Sequence, residues 1–148
     1  MYTRILVPLE NSTYDATILG HVRLLARHCG ARLLLIHVAD GWAARNVRAL
    51  KLRESEEMRG DREYLDTVCA ELNAAGIETE ALLASGDPAA EITAAADRER
   101  CDLIAMATHG HRLFADVFYG TVASSVRHRS HVPVLMVRGA PPVGRGAR

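Results

Sequence analysis

Paired cysteines are missing from this sequence, and so is any long apolar run. Its three cysteines, Cys29, Cys69 and Cys101, are widely spaced. Without a CxxC pair, neither a zinc ribbon nor a thioredoxin-like redox site is supported. They read as small buried or half-buried hydrophobes in a reducing compartment; the alternative is a redox-sensing thiol. No stretch approaches the roughly 18 apolar residues that cross a bilayer. The start, MYTRILVPLE, carries one Arg and a short apolar run, unlike a signal peptide. Charge of a single sign is lacking too, since 18 Lys and Arg balance 18 Asp and Glu. That balance removes the positive field expected of a dedicated nucleic-acid binder. The expectation is a cytoplasmic protein with neither membrane nor nucleic acid among its partners.

The common catalytic and metal signatures are also absent. There is no GxSxG elbow to present a nucleophilic serine, and nothing near Ser12, Ser124 or Ser125 would activate them. Seven histidines are present, among them His109, His111, His128 and His131, but no HExxH or acidic cluster accompanies them. They read as solvated or hydrogen-bonded side chains rather than metal ligands. The segment RNVRALKLRESEEMRGDRE mixes charge signs densely, which describes a solvated helix face.

What is present is a regular alternation. At 148 residues, 49% apolar and 24% charged, the chain is one globular domain in size and composition. Short apolar runs over Arg4–Leu9, Ala31–Ala39, Ile77–Ser85, Asp102–Ala107 and Val132–Arg138 predict five strands. Between the first two, Ile18, Val22 and Leu25 recur at helical spacing, with Ser12 as the expected N-cap and Gly30 as terminator. A long charged helix is predicted from about Leu50 to Ala75, with Leu65, Val68 and Leu72 facing inward. Gly60 interrupts it with a kink or a late start, at about 1 kcal/mol relative to Ala. Asp87 and Pro88 give a strong start signal for the next helix. A last helix is predicted from about Thr121 to His128, and the tail GAPPVGRGAR, residues 139–148, is expected to be disordered.

Strands alternating with helices imply an α/β fold, an open parallel sheet with helices on both faces. Such sheets bind ligands beyond the carboxyl ends of their strands, where the strand order reverses. Pro8–Ser12, His37–Trp42 and Met106–Thr121 lie there by sequence. The last of these, MATHGHRLFADVFYGT, places nine residues between Gly110 and Gly120, with Thr121 following. Gly110 permits close backbone approach. Gly120 and Thr121 are expected at a helix N-terminus, where unpaired N–H groups favour an anion. GxxxxGK[ST] and GxGxxG do not fit the segment. On residues alone, a phosphate cradle and a plain surface loop capped by Thr121 both remain open. Arg112 and Asp116 are compatible with either.

In the ATHG and GT of this segment, together with RILVPLENS, GDPAAEI and HVPVLMVR, the chain resembles the universal stress proteins over nearly its whole length. Their nucleotide-binding branch carries Gly-x-x-Gly, nine residues, then Gly-Ser/Thr. The resemblance implies a five-stranded parallel sheet of order 3-2-1-4-5, of the adenine nucleotide alpha hydrolase-like type, over residues 1–138. It also implies binding of ATP or another adenine nucleotide, with Mg²⁺ as companion. Gly110, Gly120 and Thr121 would line the phosphates beside the Val122 backbone, and Pro8 and Glu10 would border the adenosine. Val38, Met106 and Ala107 would meet the adenine. Two positions depart from the family pattern: Ala107 replaces the motif's first glycine, and Glu10 replaces an aspartate. Trp42 either folds over an adenine edge or anchors its own loop.

Pro133 suits an edge strand because it donates no ladder bond. The resemblance accordingly implies a homodimer through Val132 to Val137. The implied role is a regulatory dimer in stress response that works on an unidentified protein partner. Glu10 and Asp40 are the carboxylates nearest the expected site, and a ribose-binding or surface role suits them better than catalysis. An enzyme is not expected, although the resemblance leaves room for slow ATP hydrolysis or autophosphorylation. The competing class is a nucleotide-independent interaction module of the same fold.

Overall fold

The structure is a computed structural model that describes residues 1–40, 50–108 and 114–139. Side chains at 40, 50–55 and 114–120 lie outside the description, as do Trp42, Gly110 and residues 140–148 of the tail. The elements run β1 (Arg4–Pro8), α1 (Asp15–Cys29), β2 (Arg32–Asp40), α2 (Leu50–Ala74), β3 (Thr79–Gly86), α3 (Pro88–Arg98), β4 (Leu103–Thr108), α4 (Phe114–Arg129) and β5 (Val134–Arg138). The five strands form one sheet in the order β3-β2-β1-β4-β5, with every pairing parallel.

Period-two alternation sorts the strand residues onto two buried faces. Ile5, Val7, Leu33, Leu35, Leu103 and Ala105 pack against Ile18 and Val22 of α1 and Leu65, Val68 and Leu72 of α2. Leu6, Leu34, Ile36, Ile104 and Met106 turn the other way, onto Ile92 and Ala95 of α3 and Val122 and Val126 of α4. Burial on both faces explains why these strands read as unbroken apolar runs rather than alternating ones.

Helix α3 starts where its signal says: Asp87 is the N-cap, its carboxylate accepts from the Ala90 amide at 3.0 Å, and Pro88 takes the first turn. Gly60 lies inside α2 without ending it. Two helix starts differ from expectation. Ser12 does not cap α1, which begins at Asp15. Asp15 is itself buried, and its carboxylate turns back to accept from the amides of Glu10 (3.0 Å), Asn11 (2.9 Å) and Ser12 (3.3 Å). A carboxylate gathering three amides satisfies more donors than one hydroxyl cap.

The second correction concerns α4, which begins at Phe114 rather than near Thr121. No proline or glycine stands between Phe114 and Tyr119, and one Gly costs only about 1 kcal/mol in a helix interior. Gly120 and Thr121 are therefore the seventh and eighth residues of the helix instead of its start. Amides that deep in a helix point at carbonyls four residues earlier.

At the amino ends of the strands, Asp102 accepts from the Thr3 amide (2.9 Å), the Arg4 amide (3.1 Å) and the Thr3 hydroxyl (2.8 Å). Burial opposes its charge, but these hydrogen bonds prevail and hold its pKa below the ordinary aspartate value.

Candidate functional site

The sequence order reverses between β1 and β4, which are neighbours in the sheet although helices and two strands separate them in the chain. Successive strands run outward from that seam in opposite directions. The carboxyl ends of β1 and β4 diverge there and leave a crevice. A groove partly open to solvent occupies it, enclosing about 420 Å³ with its open mouth included.

Six of the nine residues expected to hold a nucleotide line this cavity. Pro8 and Glu10 come from the end of β1, Val38 from β2, Met106 and Ala107 from β4, and Val122 from α4. Of the other three, Thr121 lies within α4 and is not among the described lining residues, whereas Gly110 and the surroundings of Gly120 lie outside the description.

Three lining residues escaped the sequence reading, Ile36, Pro88 and Ile92, while Leu9 falls inside the expected Pro8–Ser12 segment. Pro88 and Ile92 are four apart on α3, hence on one helix face. That spacing was a usable signal, hidden because the pair also reads as ordinary core.

Among the described lining residues the walls are apolar and Glu10 is the one carboxylate. Its Oε2 accepts from the Ser12 hydroxyl at 3.2 Å. Ser12 also accepts from the Tyr14 amide at 3.3 Å, so both side chains belong to a compact turn after β1. Asn11, at φ 60°, adopts the left-handed conformation that turn needs. Beneath it, Tyr64 of α2 donates its hydroxyl to Asp15 Oδ2 at 2.6 Å. Burial first, and then the Asp15 carboxylate, push the phenol far above its ordinary range. Tyr64 is therefore a permanent donor.

The fit of an adenine nucleoside to these residues can be tested at Ala107, where the family pattern has glycine. Among the described residues, positive φ outside glycine occurs only at Asn11 and Arg100. Ala107 therefore carries no backbone strain, and the apolar lining would suit a flat base. A carboxylate at the rim suits two ribose hydroxyls, which donate.

Among the described residues, no group of three or more His, Cys, Asp or Glu side chains is placed to hold a metal ion, and no helix is long and apolar enough to cross a membrane. Cys101 is buried, while Cys29 and Cys69 are half-buried. Burial raises the Cys101 thiol; it also raises Cys69, whose Sγ donates to the Thr79 carbonyl at 3.1 Å. His109 and His111 lie outside the described residues, whereas His131 sits at the surface with Nδ1 3.2 Å from Asp97.

A doubly wound parallel sheet of order 3-2-1-4-5, with an apolar cavity over its switch point, defines a domain of the adenine nucleotide alpha hydrolase-like fold. The model described as the Universal stress protein family matches residues 1–138, and the chain belongs to that family. It is 27% identical to Universal stress protein MJ0577 of Methanocaldococcus jannaschii, over 93% of this chain and 96% of that one. The solved structure of MJ0577 superimposes with a TM-score of 0.84, at 25% identity, covering 95% of this chain and 98% of the other. Two further solved structures share the fold at lower identity. One is a universal stress protein in complex with cAMP (TM-score 0.70, 20% identity, 94% and 98% covered). The other is the universal stress protein from Archaeoglobus fulgidus in complex with dAMP (TM-score 0.68, 21% identity, 91% and 97% covered).

Proposed function

We propose that this protein binds an adenine nucleotide, ATP foremost, in the cavity over the β1/β4 seam, and acts as a non-enzymatic regulatory homodimer in the cytoplasm during stress. The carrying observation is the cavity itself, where apolar walls from Val38, Met106 and Val122 converge with one carboxylate, Glu10. The cAMP and dAMP complexes of two proteins of the same fold support the ligand class. Mg²⁺ would travel with the nucleotide, whose phosphates supply most of its ligands. Occupancy would then change the surface offered to a protein partner. Catalysis is left out because Glu10, the carboxylate at the site, is already bonded to Ser12 and suits ribose.

The dimer reading rests on the two sheet edges. Half-buried Val134, Leu135, Met136 and Val137 make β5 an apolar edge that a twofold mate would cover. At the opposite edge, the Leu33 amide bonds to the Glu78 carbonyl at 2.9 Å, so the N–H and C=O of Thr79 face away from β2. The Asn73 side chain takes both, donating to the carbonyl at 2.9 Å and accepting from the amide at 3.0 Å. The first rung of β3 is thus occupied from within. Pro133 lies just ahead of β5 and gives its carbonyl to the Ile104 amide at 3.0 Å.

Isothermal titration with ATP, ADP and AMP tests the ligand. Saturable heat is expected, and silence at millimolar nucleotide together with an unchanged melting temperature defeats the reading. Gly120→Asp separates the phosphate assignment from the base: it should abolish ATP binding without unfolding the domain. Retained affinity would show that α4 keeps Gly120 away from the phosphates. The winding of α4 through Gly120 and Thr121 favours the second reading, a nucleotide-independent interaction module, which a silent titration would leave standing.

A further inference from the structure

His37 sits in β2 with 9% of its surface exposed, inside a run of aliphatic residues. Its Nδ1 lies 2.8 Å from the Leu9 carbonyl, and its Nε2 lies 3.1 Å from Asp61 Oδ2 on α2. A carbonyl oxygen only accepts, so Nδ1 carries a proton. An ionised carboxylate also only accepts, so Nε2 carries one as well. A protonated imidazole in this position would donate at one end and pair with Asp61 at the other.

Both ends matter to the cavity. Leu9 and Glu10 line it, and the Leu9 amide is already spent on the Ile36 carbonyl at 2.8 Å. The His37 bond fixes the next peptide, the one that joins Leu9 to Glu10. Asp61 Oδ1 accepts from Asn11 Nδ2 at 3.1 Å, so the far side of the turn is tied to the same carboxylate.

We propose that His37 is a positioning residue for the nucleotide cavity: donating from both ring nitrogens, to the Leu9 carbonyl and the Asp61 carboxylate, it fastens the Leu9–Asn11 rim to α2, and the rim loosens when this pair loses its proton. The nucleotide part rests on the reading under Proposed function. Histidine is the side chain that ordinarily exchanges its charge in the range pH 5–8. After one proton leaves, a ring lone pair faces an oxygen that can only accept, which costs more than a missing bond. Among the described residues, the other ionisable groups joined to this network are Asp15 of α1 and Tyr64 of α2, bonded to each other. From β3 the register neighbour of His37 is the apolar Leu83. Glu10 is engaged by Ser12 instead.

Asp61→Asn isolates the proton. An amide keeps one oxygen for Asn11 and turns its NH₂ toward Nε2, so a neutral imidazole completes the same contacts. The first measurement needs no ligand: ring-nitrogen NMR of the whole protein across pH, with amide exchange at Glu10 and Asn11. In the wild type both His37 nitrogens should be protonated at pH 6, and exchange at the two amides should accelerate as that signal is lost. In Asp61→Asn, exchange protection should not follow the ring. An unprotonated Nε2 at pH 6, or protection indifferent to the transition, overturns the proposal.

The second measurement is an ATP titration of both proteins from pH 6 to pH 8.5. Nucleotide ionisation cancels in the ratio of the two affinities. The wild type should weaken relative to Asp61→Asn by about tenfold, close to the contribution of one hydrogen bond to a charged group. A flat ratio refutes the link to the cavity. If ATP binds neither protein, the nucleotide reading falls, and the ring spectrum and exchange still decide the clamp.

Discussion

Replacing Asp15 with alanine takes one acceptor away from four donors at once. The amides of Glu10, Asn11 and Ser12 and the hydroxyl of Tyr64 all end on this carboxylate, at 2.6–3.3 Å. Hydrogen bonds to a charged group contribute about 1.5–3 kcal/mol each, whereas a buried donor left unpaired costs about 1–3 kcal/mol. The losses will not add in full, because Asn11 and Ser12 are exposed and water can reach their amides. The Tyr64 hydroxyl and the Glu10 amide are less accessible, and they dominate. Asp15→Ala should therefore lose roughly 3–4 kcal/mol, a large share of the ~5–15 kcal/mol typical of a domain. At about 2–4 °C per kcal/mol for a chain of this size, the melting temperature should fall by ~10 °C. Urea unfolding followed by far-UV circular dichroism measures the loss directly. Tyr64→Phe, which removes a single donor, should cost about 1 kcal/mol, and the double variant should fall short of the sum because the two share a bond. A loss below about 1 kcal/mol for Asp15→Ala, the level of an ordinary substitution, would refute the claim that this carboxylate organises the rim.

Asp102 gives a pH signature. Its folded pKa lies below the ordinary 3.8, so its stabilising contribution is complete above that value and disappears as pH falls through the folded one. The stability gap between wild type and Asp102→Asn should be constant from neutral pH to about pH 5 and shrink in stronger acid; urea melts across that range would show it, and a gap that widens would contradict the assignment. Ala107→Gly should cost about 0.5–1 kcal/mol, because glycine loses more freedom in a strand. Since Ala107 is unstrained, it should change ATP affinity by less than about threefold, which calorimetry can check; a large gain would mean that the methyl occupies ligand space. Cys101, buried with a raised thiol pKa, should react with a disulfide reagent only as fast as the domain opens, and prompt modification at pH 8 would contradict its burial.

Much of the architecture is legible in the residues. The strands announce themselves because each is covered on two faces, and Gly30 and the Asp87–Pro88 pair mark helix boundaries by unambiguous local chemistry. The strand order came through the family resemblance, because alternation alone does not specify which strands are neighbours. Local reading fails where a residue serves a distant partner. Ser12 looks like a cap until Asp15, three residues on, turns its carboxylate back onto the amides of Glu10, Asn11 and Ser12 and starts the helix itself. Gly120–Thr121 looks like a helix start, but glycine is a weak breaker when the residues before it favour a helix. His37 is concealed by its aliphatic neighbours, and its partner Asp61 belongs to the densely charged stretch of α2 that reads as a solvated face. Only the fold brings them within 3.1 Å. Of the cavity, the strand-end residues were legible because ligands gather at the carboxyl ends of parallel strands. The contribution of α3 was not, since a lining residue and a core residue look alike in sequence.

The buried Gly139 bonds its amide to the Thr108 carbonyl at 2.8 Å, and a Cβ there would meet the Tyr14 ring at 3.0 Å. The end of β5 is thereby delivered to the end of β4, beside the ligand crevice, whereas Thr3 is moored to Asp102 at the opposite end of the sheet. A fluorophore or affinity handle placed at Gly139 itself would crowd Tyr14 and Thr108 on the cavity's side of the sheet. One joined ahead of Thr3 would keep clear of it, and that is the end from which this protein should be labelled or immobilised for every binding measurement described above.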